Sequence, residues 1–277
     1  MDFHFLLDPA GFSLSEGWLA VGLKSPYWTV LLAGLLNTLK VALPALLLAT
    51  VLGTLIGLGR RSDHPLIRLV ADSYVGLFRN IPLLILLLAV YFLIIQGLPV
   101  ASQAWSFHGW IYLSKSGLAI PDLWSGQWPR QGYFSVEGGW VLSPEYCAVL
   151  LALVLYTAAF IAEVVRAGVQ SVPRGLVQAG LALGFGRLQL NRLVVLPVAL
   201  RAIVPALGNQ YLNLLKNASL GVAVGYPELV SVSNTAMNQS GQVIQCVVLI
   251  LIIYALLSIL ASALMGRWNR AVNRGSA

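Results

Sequence analysis

Of the 277 residues, 58% are apolar and only 10% charged, and the mean hydropathy is +0.81. Soluble domains are about 45–50% apolar and about 25% charged, so a disordered chain, a disulfide scaffold and almost any soluble enzyme of this length are excluded. The net charge is +7, and in a bilayer what matters is where those bases sit.

A helix crossing about 30 Å of hydrocarbon needs about 20 mostly apolar residues. Taken in chain order, the predicted spans are 30–58, 81–95, 146–162, 198–215 and 243–264. The second has an apolar lead-in, 67–78, broken at Asn80-Ile81-Pro82. Five spans place the termini on opposite sides. The segments 59–68, 166–201 and 266–277 hold eleven bases, Arg274 among them, against the single acid Asp63. The segments 1–27, 97–143 and 224–241 hold three bases and six acids. The positive-inside rule therefore puts the C-terminus in the cytoplasm and the N-terminus outside. Met1-Asp2-Phe3 carries no basic region of the kind that opens a signal peptide.

The ionisable chemistry is sparse. His4, His64 and His108 all fall outside the spans, which removes His-based proton relays, intramembrane metalloproteases and a membrane Ser–His pair. There is no P-loop, so this chain does not itself hydrolyse nucleotides. Cys147 and Cys246 lie in apolar runs, with neither C-x-x-C nor zinc spacing, and read as inert thiols.

Residues 166–197 carry the most information. Pro173 can open a short helix and Gly184 can close it in the left-handed C′ conformation. Ala179 and Gly180 keep one face small, so that another surface can approach. Pro197 suits the first turn of the next span. The stretch reads as two short helices joined by a glycine turn on the cytoplasmic face; an amphipathic connector lying on the headgroups is the alternative.

Gln178-Ala179-Gly180, three residues, Gly184, nine residues, then Val194-x-Leu196-Pro197 resembles the Glu-Ala-Ala…Gly…Ile-x-Leu-Pro loop of ABC-importer permeases. The flanks 156–168, Pro173-Arg174-Gly175, Asn37-Thr38-Leu39, 78–82 and 216–220 with Glu228-Leu229 are similar to the polar amino-acid uptake permeases of the histidine, glutamine and arginine type. Ser143-Pro144-Glu145 and 225–230 resemble the general L-amino-acid branch. The resemblance covers about residues 30–265. It departs at Leu176, at Gln178, where the family has an acid, and at Gly180, where it has a second Ala.

Two polar stripes interrupt the spans. Asn209, Asn213 and Lys216 follow i, i+4, i+7 spacing, as do Asn238, Gln242 and Gln245 at the start of the last span. A mid-bilayer charge costs about 2.5–3.5 kcal/mol on insertion scales, so such residues face water or protein. A solute path lined by amides is one reading; interhelical hydrogen bonds are the other. Asn37, Thr38 and Lys40 add polarity to the first span, where Lys40 can snorkel. Residues 97–143 hold five of the eight tryptophans, which suits the membrane–water boundary; a contact surface for an extracytoplasmic binding protein is the alternative.

The expected architecture is thus an all-α polytopic membrane protein of about five transmembrane helices. It comprises an extracytoplasmic segment 1–27, a permease domain 28–265 with an external loop 97–143 and a cytoplasmic coupling loop 166–197, and a cytoplasmic tail 266–277. The resemblance implies the permease subunit of an ATP-driven amino-acid importer in a bacterial inner membrane. It implies ATPase docking on Pro173, Gly175, Gln178, Ala179, Gly180, Gly184, Leu196 and Pro197. The candidate path is Asn209, Asn213, Lys216, Asn238 and Gln242. Expected partners are membrane lipid, a second permease, a cytoplasmic ATPase dimer that binds ATP and Mg, and an extracytoplasmic amino-acid-binding protein. This chain is expected to hold no metal or cofactor and to bind no nucleic acid. A stand-alone secondary transporter or channel is the other class, separated by whether an ATPase co-purifies.

Overall fold

A computed structural model describes residues 3–122, 125–133 and 135–273. Asp2, Trp124 and Arg274, which entered the counts above, lie outside the described residues. The main helices are α1 (Tyr27–Gly59), α2 (Pro65–Asn80), α3 (Leu83–Gly97), α4 (Pro144–Gln170), α5 (Arg174–Ala182), α6 (Arg187–Leu190), α7 (Leu196–Asn217), α8 (Leu229–Ser240) and α9 (Val243–Asn273). Among the described residues four helical runs are long and apolar enough to cross a membrane, containing α1, α4, α7 and α9. A fifth exists if α2 and α3 form one broken span.

The break between α2 and α3 has a local cause. Pro82 disfavours helical backbone at the residue before it, and Ile81 is accordingly extended, with φ −89° and ψ 126°. Pro65 takes the first helical position of α2, where its missing N–H costs nothing. Alone, α3 has only 15 residues, fewer than the hydrocarbon thickness requires. α4 is the most enclosed span, with 61% of its apolar window buried, whereas α9 buries 6% and presents Leu251, Leu256 and Ile259 outward.

The chain divides into two compact units, and α1, α4 and α9 contribute to both. The first comprises residues 1–45, 82–153 and 217–251. Its core packs Phe5, Tyr27, Val30 and Ala33 with Val232, Ala236 and Cys246. Here α1 and the entry to α8 are stitched together by polar groups. Asn37 Nδ2 donates to Glu16 O and Pro227 O at 3.1 and 3.0 Å. Tyr226 donates its hydroxyl to Asn37 O at 2.9 Å, and Leu229 N–H donates to Thr38 Oγ1 at 3.1 Å. Glu228 caps α8, its fully buried carboxylate accepting from the Val230 and Ser231 N–H groups. Lys40 does not snorkel. It is buried, 3.3 Å from Glu16 Oε1, with its ammonium 5.1 Å from the Tyr146 ring centre. Burial of a charge demands such a partner, and the N-terminal segment brings it.

The first unit also contains strand structure that the pattern of 97–143 does not announce. β1 (Trp105–Phe107), β2 (Ile111–Ser114), β3 (Gly117–Ile120) and β6 (Trp140–Leu142) form an antiparallel sheet in the order β1-β2-β3-β6. β4 (Arg130–Gln131) pairs with β5 (Val136–Glu137). Trp105, Trp110, Trp128 and Trp140 stay exposed on this excursion.

The second unit comprises residues 46–81, 154–216 and 252–277. Gly53 and Gly57, one turn apart on α1, let α4 approach backbone to backbone. A Cβ on either would lie 2.7 Å from a carbonyl of α4, Ala158 O or Ala162 O, the arrangement small-xxx-small helices use in membranes. Thr50 Oγ1 and Tyr211 OH lie 2.8 Å apart, joining α1 to α7, and Tyr74 donates to Leu155 O at 2.8 Å, joining α2 to α4.

One expected feature is corrected. Asn238, Gln242 and Gln245 do not share one helix. α8 ends at Ser240, Gly241 turns the chain with φ 70°, and α9 starts at Val243, so the i, i+4, i+7 spacing spans a break. α9 continues through residue 273, so the residues assigned to the tail begin within a helix.

Candidate functional site

The segment 173–197 folds as a compact helical hairpin inside the second unit. Pro173 precedes α5 with φ −59° and ψ 130°, and its carbonyl accepts from Leu176 N–H at 3.1 Å. At the other end Gly184 takes φ 78°. Phe185 N–H then reaches Gly180 O at 3.1 Å and Gly184 N–H reaches Leu181 O at 3.0 Å. That pair of bonds is a complete Schellman cap, which reverses the chain into α6. Gln189 Oε1 accepts from Gly186 N–H at 3.0 Å to start α6. A five-residue π segment, residues 191–195, joins α6 to α7; such bulges recur at functional positions.

Exposure sorts the predicted docking residues. Pro173, Gly175, Gln178, Ala179, Gly184, Leu196 and Pro197 are exposed. Gly180 is not: it is buried, and a Cβ there would meet Leu190 Cδ1 at 2.6 Å. Its small size serves the hairpin's own packing rather than an approaching partner. What the hairpin does present is apolar: Leu181, Leu183 and Leu188 are 54%, 75% and 80% exposed. These leucines give the hairpin an exposed apolar surface available for contact.

α7 carries the polar stripe as predicted for Asn209, Asn213 and Lys216: all three lie on one exposed face of one helix. Asn238 is exposed on α8 and Gln242 is half-buried in the turn after it, in the other unit. Sequence reasoning gave no role to a second feature of α7's unit. A cavity of about 470 Å³ is lined by Arg79, Phe160, Glu163, Ser171 and Gln210, with Ala202 and Ala206 keeping one wall small. Arg79 stacks over Phe160, 5.3 Å from its ring centre.

Glu163 is the electrostatic hub beside that cavity. Arg60 and Arg166 both bind its carboxylate directly, and Arg79 Nη1 stands 3.8 Å away. Arg60 also donates to Asp72 at 2.6 Å, and Arg166 to Gln170 at 2.7 Å. The hub thus ties the ends of α1 and α2 to α4. The i, i+3 spacing of Glu163 and Arg166 was the available sequence signal; the contributions of Arg60 and Arg79 come from tertiary contact and leave no spacing to read. Among the described residues no cluster of His, Cys, Asp and Glu could hold a metal ion.

Apolar spans, an exposed helical hairpin and a polar face on one span are the features of a helical membrane protein. The comparisons with known proteins name the family. The chain belongs to the binding-protein-dependent transport system inner membrane components, whose family model matches residues 49–274. It is 36% identical to the general L-amino acid transport system permease protein AapQ of Rhizobium johnstonii, over 96% of this chain and 82% of that one. It is 34% identical to the putative amino-acid ABC transporter permease protein YhdX of Escherichia coli, over 98% and 85%. The crystal structure of an amino acid ABC transporter with histidines superposes with a TM-score of 0.66 at 26% identity, covering 88% of this chain and 95% of that one. The fold is that of ABC-importer permeases.

Proposed function

We propose that this chain forms half of the translocation path of an ATP-driven importer of amino acids. The amino-acid permease names of the relatives aligned over nearly the whole chain support the solute class. A second permease, identical or similar, completes the path. A cytoplasmic ATPase dimer binds ATP and Mg and docks on the hairpin, and an extracytoplasmic protein delivers the solute. The chain itself holds no cofactor and catalyses no covalent step. The arginine-rich ends of α1, α4 and α9 face the cytoplasm, and the N-terminal segment faces outward.

The observation that carries this reading is the hairpin, with its Schellman turn at Gly184 and three outward leucines. Hydrolysis moves the ATPases, the hairpins move with them, and the paired helices alternate between inward and outward openings. The α7 face of Asn209, Asn213 and Lys216 offers hydrogen bonds to a zwitterion along the way.

The test is purification of the tagged chain with its neighbouring subunits, followed by uptake into vesicles. Lys216→Ala lowers uptake severalfold while the ATPase stays bound, because the path loses its charge and the hairpin is untouched. Normal uptake by that variant removes Lys216 from the path, and failure to recover any ATPase with the parent chain removes the docking role.

A further inference from the structure

Against the hairpin lies a cavity distinct from the one beside Glu163, and Gln178, Leu188 and Leu196 of the exposed hairpin surface are part of its lining. It measures about 1070 Å³, opens to the surface, and is bordered by the ends of α1 and α4, by α5 and α6, and by the start of α7. Leu58, Val172 and Val195 are part of its apolar lining, and the exposed Arg61, Arg174 and Arg192 line it as well. No carboxylate lines it. The ion pairs among the described residues belong to Lys40, Arg60, Arg79 and Arg166, so these three guanidinium groups have no acid partner there. Gln178 also lines this cavity, at the position where the permease loop it resembles carries an acid. A carboxylate there would neutralise part of the site; the amide leaves it cationic.

Three like charges lining one cavity give it a positive potential that attracts an anion. The cavity is far larger than a phosphate ion, and its apolar walls gain nothing from one. It also sits where three helices long and apolar enough to span a membrane begin or end. We propose that it holds an anionic phospholipid, with the phosphodiester among Arg61, Arg174 and Arg192 and an acyl chain along Leu58, Val172 and Val195. Basic pockets between helices at a membrane face bind such headgroups. The lipid then braces the hairpin against the spans, so anionic lipid sets how firmly hairpin motion is transmitted.

The experiment uses the permease–ATPase complex in detergent, with native mass spectrometry reading bound lipid. Phosphatidylglycerol is retained in preference to phosphatidylcholine, a comparison that needs no variant. Arg61→Gln with Arg192→Gln weakens phosphatidylglycerol binding by on the order of twentyfold, and Arg68→Gln, on α2 outside the cavity, leaves it unchanged. Equal retention of the two lipids overturns the proposal. So does displacement of phosphatidylglycerol by millimolar inorganic phosphate, which makes the site one for free anions. Loss of the lipid on adding ATPase to the lone permease overturns it too, by assigning the cavity to the docked subunit. ATPase recovery, read in the same samples, reports the docking role separately.

Discussion

At the scale of single residues, Gly184 is where sequence and geometry meet most tightly. Its φ of 78° is a conformation that side chains resist by about 1–2 kcal/mol. A Cβ there meets nothing within 4 Å, so the cost of substitution is conformational and not steric. Gly184→Val therefore reduces ATPase recovery and uptake while the chain still inserts. Gly184→Asn, whose side chain tolerates the left-handed region, retains most of both. Equal damage from the two, measured by pull-down, contradicts this account. Gly184 was legible because a proline and a glycine bracket a helix of the right length. Lys40 was not: its partner Glu16 lies 24 residues away, and no periodicity links them. Gly180 shows the same gap. Its small size was visible, but whether it faced a partner or Leu190 depended on how α6 folds back.

At the scale of elements, the close packing of α1 on α4 makes a directional prediction. Gly57→Leu forces a side chain against Ala162 O and Val165, and overpacking of this kind costs about 1–3 kcal/mol. Gly76→Ala, in α2 with open space around it, gains up to about 1 kcal/mol of helix propensity. Thermal unfolding of the solubilised complex should move in opposite directions for the two, and a common direction contradicts the packing described. The long spans were readable because length and hydropathy alone define them. The break at Ile81-Pro82 was readable because proline imposes it. Two elements resisted. α8 is polar enough to pass for a loop, and its end at Gly241 turns an apparent stripe of Asn238, Gln242 and Gln245 into residues of separate elements. The sheet of residues 105–142 is built from strands of three or four residues, too short to show alternation.

At the scale of the whole molecule, the charge bias predicts sidedness. In a chain with Cys147 and Cys246 replaced, Ser15→Cys and Ser116→Cys react with an impermeant thiol reagent applied to intact cells, and Asp63→Cys does not. Labelling at residue 63 reverses the orientation. The central claim, that hairpin docking couples an ATPase to amino-acid passage, is tested most directly by one measurement: the ATPase rate of the reconstituted complex, with its binding protein, across a panel of amino acids. The account predicts a rate that rises with a subset of L-amino acids and stays at baseline in the Gly184→Val complex. A rate indifferent to every amino acid, with uptake persisting in ATPase-free vesicles under an ion gradient, would contradict it.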